Sequence, residues 1–224
     1  MTPTPMALEP VEQAAFLQSV ANVQQAALRQ LQAQPGATAV VAFVRFMQQG
    51  VDQVVAAAQQ QGVQLDCAAG CSHCCHAKVE AMAPEILLIA GAIAAGSAQQ
   101  QAQTIARLQA HQAVQAEGAA PWSRQPACPF LVDQLCSIYA LRPASCRKAH
   151  SQDVRACRSD AAQIPQSLQL VLQAEALQLG TAAAYRQHGL DAEPQELVQA
   201  VLQALHDPSA ASRWLGGDPV FGAA

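Results

Sequence analysis

Two short segments contain all eight cysteines of this 224-residue chain. The first runs from Cys67 to Cys75 and reads C-A-A-G-C-S-H-C-C, so four thiols lie close together in sequence. The second segment carries Cys128, Cys136, Cys146 and Cys157. The rest of the chain is rich in Ala, Gln, Leu and Val and has no other chemically distinctive pattern. The fold must therefore accommodate this density of thiols, and any function must be inferred from them.

The cellular compartment decides what clustered thiols can do. The N-terminal sequence does not have the basic region and apolar run of a secretory signal, and Glu9 and Glu12 are unusual in a transit peptide. We therefore expect a cytoplasmic protein. Cytoplasmic thiols are kept reduced, so structural disulfides are not expected, and metal ligation or redox chemistry becomes the default use of the cysteines.

The composition favours an all-α fold. Aromatic residues make up only 4% of the chain, and the 51% hydrophobic share comes largely from alanine, a strong helix former. We expect a single domain over residues 1–224, a helical bundle with an inserted cysteine-rich, loop-rich metal-binding lobe and at most one short β-ribbon. Its parts would be a helical hairpin at 1–62, the cysteine region with two intervening helices at 63–160, and C-terminal helices at 161–224.

The charge and hydropathy of the chain indicate no large polyanionic or lipid partner. The net charge is −4, whereas nucleic acids and anionic membranes usually bind a basic face. The most apolar run, residues 85–96, is far shorter than the roughly 20 residues that span a bilayer. We therefore expect a metal ion as partner, with no nucleic acid and no membrane, and the sequence leaves a protein partner open.

Periodic apolar residues predict the main helices. One is predicted from Pro10 to about Ala33, and a second, from Thr38 to Gln60, would pack against it. A loop is predicted at residues 118–125. The other predicted helices run from Pro84 to Gly96, from Ser97 to about Glu117, from Pro165 to Gly189 and from Glu193 to Asp207.

The second cysteine segment has its own local signals. The run C-P-F-L-V-D-Q-L-C-S-I-Y predicts two short strands joined at Asp133 and Gln134. Pro143 is predicted to lie early in a short helix that carries Cys146. In the C-terminal tail, Trp214 and Phe221 are expected to pack back on the body of the protein.

The spacing of the cysteines favours a bound metal. Cys71 and Cys74 have the two-residue spacing that lets both sulfurs reach one ion at about 2.3 Å. Adjacent Cys74 and Cys75 would crowd a single ion, which leaves open two ions, a bridging thiolate or one free thiol. Thiolates suit zinc and iron–sulfur centres alike, so the identity of the metal stays open.

Both segments together read C-x₃-C-x₂-C-C followed by C-P-F-L-V-D-x-x-C-S-I-Y-x-x-R-P-x-x-C-R. This combination resembles the YkgJ-like cysteine-cluster family, described as zinc- or iron-chelating proteins. The resemblance implies metal ligands at Cys67, Cys71, Cys74, Cys75, Cys128, Cys136 and Cys146. It also implies supporting roles for Arg142 and Arg147. Cys157 lies beyond the core pattern and is a further candidate ligand.

Two enzyme families share part of the pattern. The same type of cluster occurs in flagellin lysine N-methylases, where it resembles an iron–sulfur site. The C-x₃-C-x₂-C spacing is also similar to that of radical S-adenosylmethionine enzymes. That second family is built from repeated β-α units, which the long predicted helices of this chain do not match.

Histidines and basic residues near the cysteines are weaker candidates. His73, His76 and His150 could supply nitrogen ligands, although a solvated or hydrogen-bonded histidine is the preferred interpretation of each. A divalent ion with several bound thiolates forms a complex with a net negative charge. Arg142 and Arg147 could offset this charge.

Two hypotheses about function follow. In the leading one, the cysteine cluster chelates zinc or iron for structure, storage or delivery, because a full set of thiolates closes the coordination sphere of the ion. In the alternative, the chain is an iron–sulfur enzyme for group transfer, such as protein methylation, or for redox chemistry. The sequence leaves open whether the chain is an enzyme, and it predicts no catalytic residue.

Overall fold

The computed structural model describes residues 8–33, 36–115, 125–159, 161 and 163–222. The chain is mostly helical there, which confirms the predicted all-α class. None of the helices in these ranges is both long and apolar enough to cross a lipid bilayer. The helices are α1 (Pro10–Ala33), α2 (Ala37–Ala42), α3 (Val44–Gln60), α4 (Ala83–Ala94), α5 (Ala98–Gln115), α6 (Ala144–Lys148), α7 (Val154–Arg158), α8 (Leu168–Gln187), α9 (Leu197–His206) and α10 (Ala210–Leu215).

The helix predicted from Thr38 to Gln60 is interrupted at Phe43, between α2 and α3. The backbone N–H of Phe46 donates to the carbonyl of Phe43 at 2.9 Å, an i−3 bond where a regular α-helix makes an i−4 bond. Helices α7 and α10 were not predicted because helices of five and six residues are too short to show a period. The loop predicted at 118–125 lies almost entirely outside the described residues.

The predicted β-ribbon is present in the second cysteine segment. Strand β2 (Leu131–Val132) pairs antiparallel with β3 (Leu135–Cys136), so Leu131 lies opposite Cys136. The turn between the strands has φ of 50° at Asp133 and 63° at Gln134. Two consecutive left-handed residues match the right-handed twist of a hairpin, and Asp tolerates this conformation better than most residues.

A second short strand pair was not expected from the sequence. Strand β1 (Glu80–Ala81), just after the first cysteine segment, pairs antiparallel with β4 (Gln195–Glu196) at the entrance to α9. The N–H of Leu197 extends the contact by donating to the carbonyl of Val79 at 2.9 Å. Strands of two residues show no alternation of apolar and polar side chains, so no pattern predicted this pair.

Helix α8 lies at the centre of the helical body. Both α1 and α3 make their main contacts with α8. The apolar faces of these N-terminal helices are therefore buried against α8. The closest approach is at Gly180, where an added Cβ would lie 2.6 Å from Cβ of Val23 and 2.7 Å from the carbonyl oxygen of Val20. Only glycine allows α1 and α8 to pack at this distance.

Aromatic residues fill the core between these helices and the C-terminal tail. The ring centroids of Phe43 and Tyr185 are 6.0 Å apart, and those of Tyr185 and Trp214 are 5.6 Å apart, both with edge-to-face geometry. The hydroxyl of Tyr185 donates to the carbonyl of Val40 at 2.8 Å. Trp214 is 0% exposed and Phe221 is 4% exposed, which confirms that the tail packs on the body.

A buried carboxylate joins three helices near the cysteine lobe. Glu85 of α4 is 1% exposed, and its Oε1 accepts hydrogen bonds from Nε2 of Gln48 in α3 at 3.0 Å and from the N–H of Ala144 in α6 at 2.8 Å. Its Oε2 accepts from the N–H of Met82 at 3.1 Å. Burial raises the pKa of Glu85, and the hydrogen bonds oppose that rise. The network fixes the start of α6, which carries Cys146.

The contact at Gly180 leads to a stability prediction. We expect Gly180→Ala to lower the free energy of unfolding by about 1–3 kcal/mol, because the new methyl group would overlap the backbone of α1. Gly91→Ala is the matched control: it also lies inside a helix, but nothing lies within 4 Å of an added Cβ there. The control should gain up to ~1 kcal/mol from helix propensity. Chemical denaturation of both variants is the measurement, and equal effects would contradict the proposed packing.

The buried carboxylate leads to a pH prediction. Because the pKa of Glu85 is raised in the folded state, the stability contributed by this group is lost as the pH rises through that pKa. The free energy of unfolding of the parent should therefore fall relative to that of Glu85→Gln as the pH rises above the ordinary carboxyl pKa of about 4.3. Glu85→Ala should lose about 3 kcal/mol, since it leaves buried donors unpaired. A parent-to-Gln difference that does not vary with pH would contradict the assignment.

Candidate metal centre

The two cysteine segments meet in space. The N–H of Cys128 donates to the carbonyl of Cys75 at 2.7 Å, which ties the second segment to the end of the first. The hydroxyl of Ser72 donates to Oε1 of Gln134 in the hairpin turn at 2.7 Å. These bonds place the β2–β3 hairpin against the first segment, although two helices separate the segments in sequence.

The first segment is not an α-helix. A turn brings the N–H of Cys71 to the carbonyl of Ala68 at 3.0 Å, and Gly70 in this turn has a φ of 85°. A short 3₁₀ helix then covers His73–His76. The four thiols therefore do not share one helical face, and the conformation of the loop determines which sulfurs lie near which others.

Cys67 lies against the stretch that leads into α7. Its Sγ accepts a hydrogen bond from the N–H of Ser151 at 3.3 Å, and the N–H of the preceding residue, Asp66, donates to the carbonyl of Ser151 at 2.9 Å. The carboxylate of Asp66 accepts from the N–H of Val154 at 3.0 Å. Because Val154 begins α7, these bonds bring Cys157 into the neighbourhood of the first segment.

All eight cysteines are free thiols, and their mutual electrostatic effects divide them into two groups. We call the first group the inner thiols and the second the outer thiols. The inner thiols are Cys74, Cys75, Cys128, Cys136 and Cys146. The outer thiols are Cys67, Cys71 and Cys157. Cys74 interacts with members of both groups.

Four of the five inner thiols, all except Cys75, have a raised pKa and resist losing their protons. Burial raises the pKa of Cys146, and the neighbouring Cys128, Cys74 and Cys136 raise it further. Burial likewise raises the pKa of Cys128 to about 11. The thiol of Cys74 hydrogen-bonds to the sulfur of Cys75, which raises the pKa of Cys74 and lowers that of Cys75. Several thiolates can therefore coexist here only if a positive charge offsets them.

The donor set fits a thiophilic metal by its chemistry, and the sulfurs are not arranged as a coordination shell. Among the described residues, no three His, Cys, Asp or Glu side chains are positioned to hold an ion together. Binding of a metal by the inner thiols would require their side chains to rotate, while the backbone bonds between the segments could remain.

Arg142 is the basic residue that acts on the inner thiols. Its charge opposes the rise in the pKa that burial causes at Cys136, and it has the same opposing effect at Cys74. One of its terminal nitrogens donates to Asp52 at 3.3 Å, and its guanidinium lies 3.9 Å from the centre of the Tyr139 ring. Its Nε is buried and has no hydrogen-bond partner among the described residues.

Arg147 has a different position. It is buried, and it donates to the carbonyl of Arg142 at 2.8 Å, to the carbonyl of Ala140 at 2.8 Å and to the carboxylate of Asp52. These bonds hold the loop that carries Arg142. The sequence analysis predicted that both arginines support the metal site. In the structure, Arg147 donates hydrogen bonds to the backbone of the loop that carries Arg142.

The histidines have structural partners. Nδ1 of His150 donates to the carbonyl of Lys148 at 2.8 Å, and its Nε2 accepts from the N–H of Ser167 at 2.9 Å, so both ring nitrogens are occupied. Nδ1 of His76 donates to the carbonyl of Gln125 at 3.0 Å. His73 begins the 3₁₀ helix that contains Cys74 and Cys75. For His150, hydrogen bonding is the role that the structure supports.

Sequence reasoning missed three residues that shape the site. Asp52 binds both arginines, Glu85 fixes α6, and His111 of α5 donates from Nδ1 to the carbonyl of Ala127 at 3.0 Å, next to Cys128. None of the three lies in a cysteine segment. Glu85 does occupy the third position of α4, where a carboxylate often caps a helix, and this was the one local signal available.

A groove of about 800 Å³ lies elsewhere, between α1, α3 and α8. Its lining is mainly apolar, and none of its lining residues in the described part of the chain is a cysteine. The groove is therefore separate from the thiols.

Residues 66–167 match the model of a family named CxxCxxCC, described as a putative zinc- or iron-chelating domain. The matched range includes both cysteine segments and the two helices between them. The comparisons with curated proteins and with solved structures each gave no match. The resemblance to a cysteine-cluster family is thus confirmed, since residues 66–167 match the CxxCxxCC model.

Proposed function

We propose that this protein chelates zinc or iron through its cysteine cluster, for structure, storage or delivery of the metal. The observation that carries the proposal is the meeting of the two cysteine segments, where the N–H of Cys128 donates to the carbonyl of Cys75 at 2.7 Å. A family match describes zinc or iron chelation for the same residues. The proposed ligands are Cys67, Cys71, Cys74, Cys75, Cys128, Cys136, Cys146 and Cys157.

The electrostatics of the thiols support this proposal. Burial and the neighbouring Cys128, Cys74 and Cys136 raise the pKa of Cys146, so the cluster is a poor arrangement for several thiolates without a cation. A bound divalent cation would supply the positive charge that lets several thiolates coexist. Thiolates favour zinc and iron over oxygen-seeking cations such as magnesium and calcium.

Arg142 fits the role of a donor to a thiolate. A metal-bound thiolate keeps lone pairs that accept hydrogen bonds, and such bonds orient the ligand and reduce its charge. The free Nε of Arg142 is buried beside the thiols, whereas its other contacts, with Asp52 and Tyr139, hold the guanidinium in place. Arg147 keeps the backbone of Arg142 in position through its carbonyl.

The first test is the metal content of the purified protein. We expect anaerobically purified protein to contain zinc or iron by elemental analysis. Cys146→Ala should lower both metal content and thermal stability, because metal binding contributes folding free energy in such lobes. Cys157→Ala, in the outer group, should have a much smaller effect.

The outcomes separate the hypotheses. Parent protein without either metal would contradict the proposed function. Equal losses in Cys146→Ala and Cys157→Ala would contradict the greater importance of the inner thiols. Visible absorption typical of an iron–sulfur cluster, instead of a colourless zinc protein, would favour the alternative of an iron–sulfur enzyme.

The second test concerns Arg142. We expect Arg142→Gln to weaken metal affinity about 10-fold or more, the usual effect of losing a group that supports a ligand. The measurement is competition with a chromophoric chelator. Arg142→Lys should recover part of the loss, since charge survives while the planar fork does not. Arg186→Gln serves as the control, because it removes an exposed ion pair between Arg186, at the end of α8, and Glu193. Equal affinity in Arg142→Gln and in the parent would contradict the role of Arg142.

A further inference from the structure

A small polar cavity lies between α3 and the loop that precedes α6. Its volume is about 230 Å³, and its walls include Arg45, Asp52, Tyr139 and Arg147. No cysteine lines it within the described part of the chain, so the cavity is distinct from the proposed metal site. None of the roles described above requires an open space at this position.

The cavity carries an excess of positive charge. Arg45 and Arg147 are both on its wall, and Arg142 ion-pairs with Asp52, the acidic group of the wall. Asp52 also pairs with Arg147, so two guanidinium groups share one carboxylate. Arg45 is exposed and makes no ion pair with any described residue.

The surroundings do not cancel this charge. Glu85 lies behind Gln48, another wall residue, and is buried. Burial raises the pKa of Glu85, and even its ionised form would leave the group of arginines positive. The chain as a whole has a net charge of −4, so the positive potential is local to this cavity and does not extend over a basic surface.

The fixed arginines are arranged for an acidic ligand. The side chain of Arg147 is only 7% exposed and is held by the carbonyls of Arg142 and Ala140. A guanidinium held in this way loses little conformational freedom when it binds an anion. Its contact with Asp52 shows that a carboxylate is a suitable partner at this place.

Tyr139 adds an apolar surface to the same cavity. Its side chain is 62% exposed even though it lines the cavity, and Arg142 rests on its ring. An exposed aromatic ring beside a cationic wall matches a ligand that has an acidic group and a hydrocarbon part. At the ~30 Å³ that one water occupies, the cavity has room for about eight such groups, which suits a small organic acid.

We propose that this cavity binds a small organic carboxylate, whose acidic group contacts Arg45 and Arg147 and whose hydrocarbon part lies against Tyr139.

The test uses calorimetry and thermal unfolding of the full chain as purified, with sodium benzoate, sodium acetate and inorganic phosphate as probes at constant ionic strength. Benzoate should bind saturably and raise the unfolding temperature. Arg45→Gln should raise the dissociation constant for benzoate about 10-fold, because a charge-assisted hydrogen bond is lost. Arg45 is exposed, so its replacement leaves the core intact, and an unchanged unfolding temperature without ligand verifies this.

The matched control is Arg29→Gln, which removes the same charge from the exposed surface of α1 and touches no wall residue of the cavity. It should bind benzoate like the parent. Tyr139→Ala should weaken benzoate more than acetate, since only benzoate has a ring to contact the tyrosine.

Three results would overturn the proposal. The first is the absence of saturable carboxylate binding to the parent. The second is an equal effect of Arg45→Gln and Arg29→Gln. The third is binding of phosphate alone with the same dependence on Arg45, which would make the cavity a phosphate site. Metal content does not enter any of these measurements, so they are independent of the proposed metal chelation.

Discussion

The buried carboxylate of Glu85 accepts hydrogen bonds from the helical body and from the stretches that flank the cysteine lobe. These bonds hold the lobe in position on the body. The donors are Gln48 in the body, and Met82 and Ala144 in the stretches that flank the lobe. The carboxylate is costly to bury alone, and the energetic cost is offset only when all of these donors are in place. The network fixes the start of α6, and with it the location of Cys146.

Further anchors hold the other edges of the lobe. Lys148 at the end of α6 forms an ion pair with Glu175 of α8, and His150 accepts from the N–H of Ser167 where α8 begins. On the opposite side, Arg107 of α5 donates to the carbonyl of Pro129 at 3.2 Å. The backbone around the thiols is thus positioned by the helical body. No three of the described thiol, imidazole or carboxylate side chains are positioned to hold an ion together, so the arrangement of the sulfurs is the part of the site that a metal would decide.

Local patterns in the sequence were sufficient for the elements and for the class of site. The turn at Asp133 and Gln134 could be predicted because its geometry depends on adjacent residues, and α1 could be predicted because its apolar residues recur with the helical period. The cysteine motif likewise indicated a metal-chelating domain, since ligand chemistry and spacing are local properties.

The tertiary structure decided which distant residues meet. Nothing near Asp52 in sequence predicts that it binds two arginines about 90 residues away. The different roles of the two arginines follow from the bonds that Arg147 makes to the carbonyls of Arg142 and Ala140. The division of the thiols into inner and outer groups likewise depends on how the hairpin and α7 pack on the first segment. By itself, the sequence determined the helices, the ribbon and the thiol-rich chemistry, because these depend on neighbours along the chain. Only the tertiary structure determined the charge partners and the cavity, because these depend on contacts between helices whose pairing no local pattern encodes.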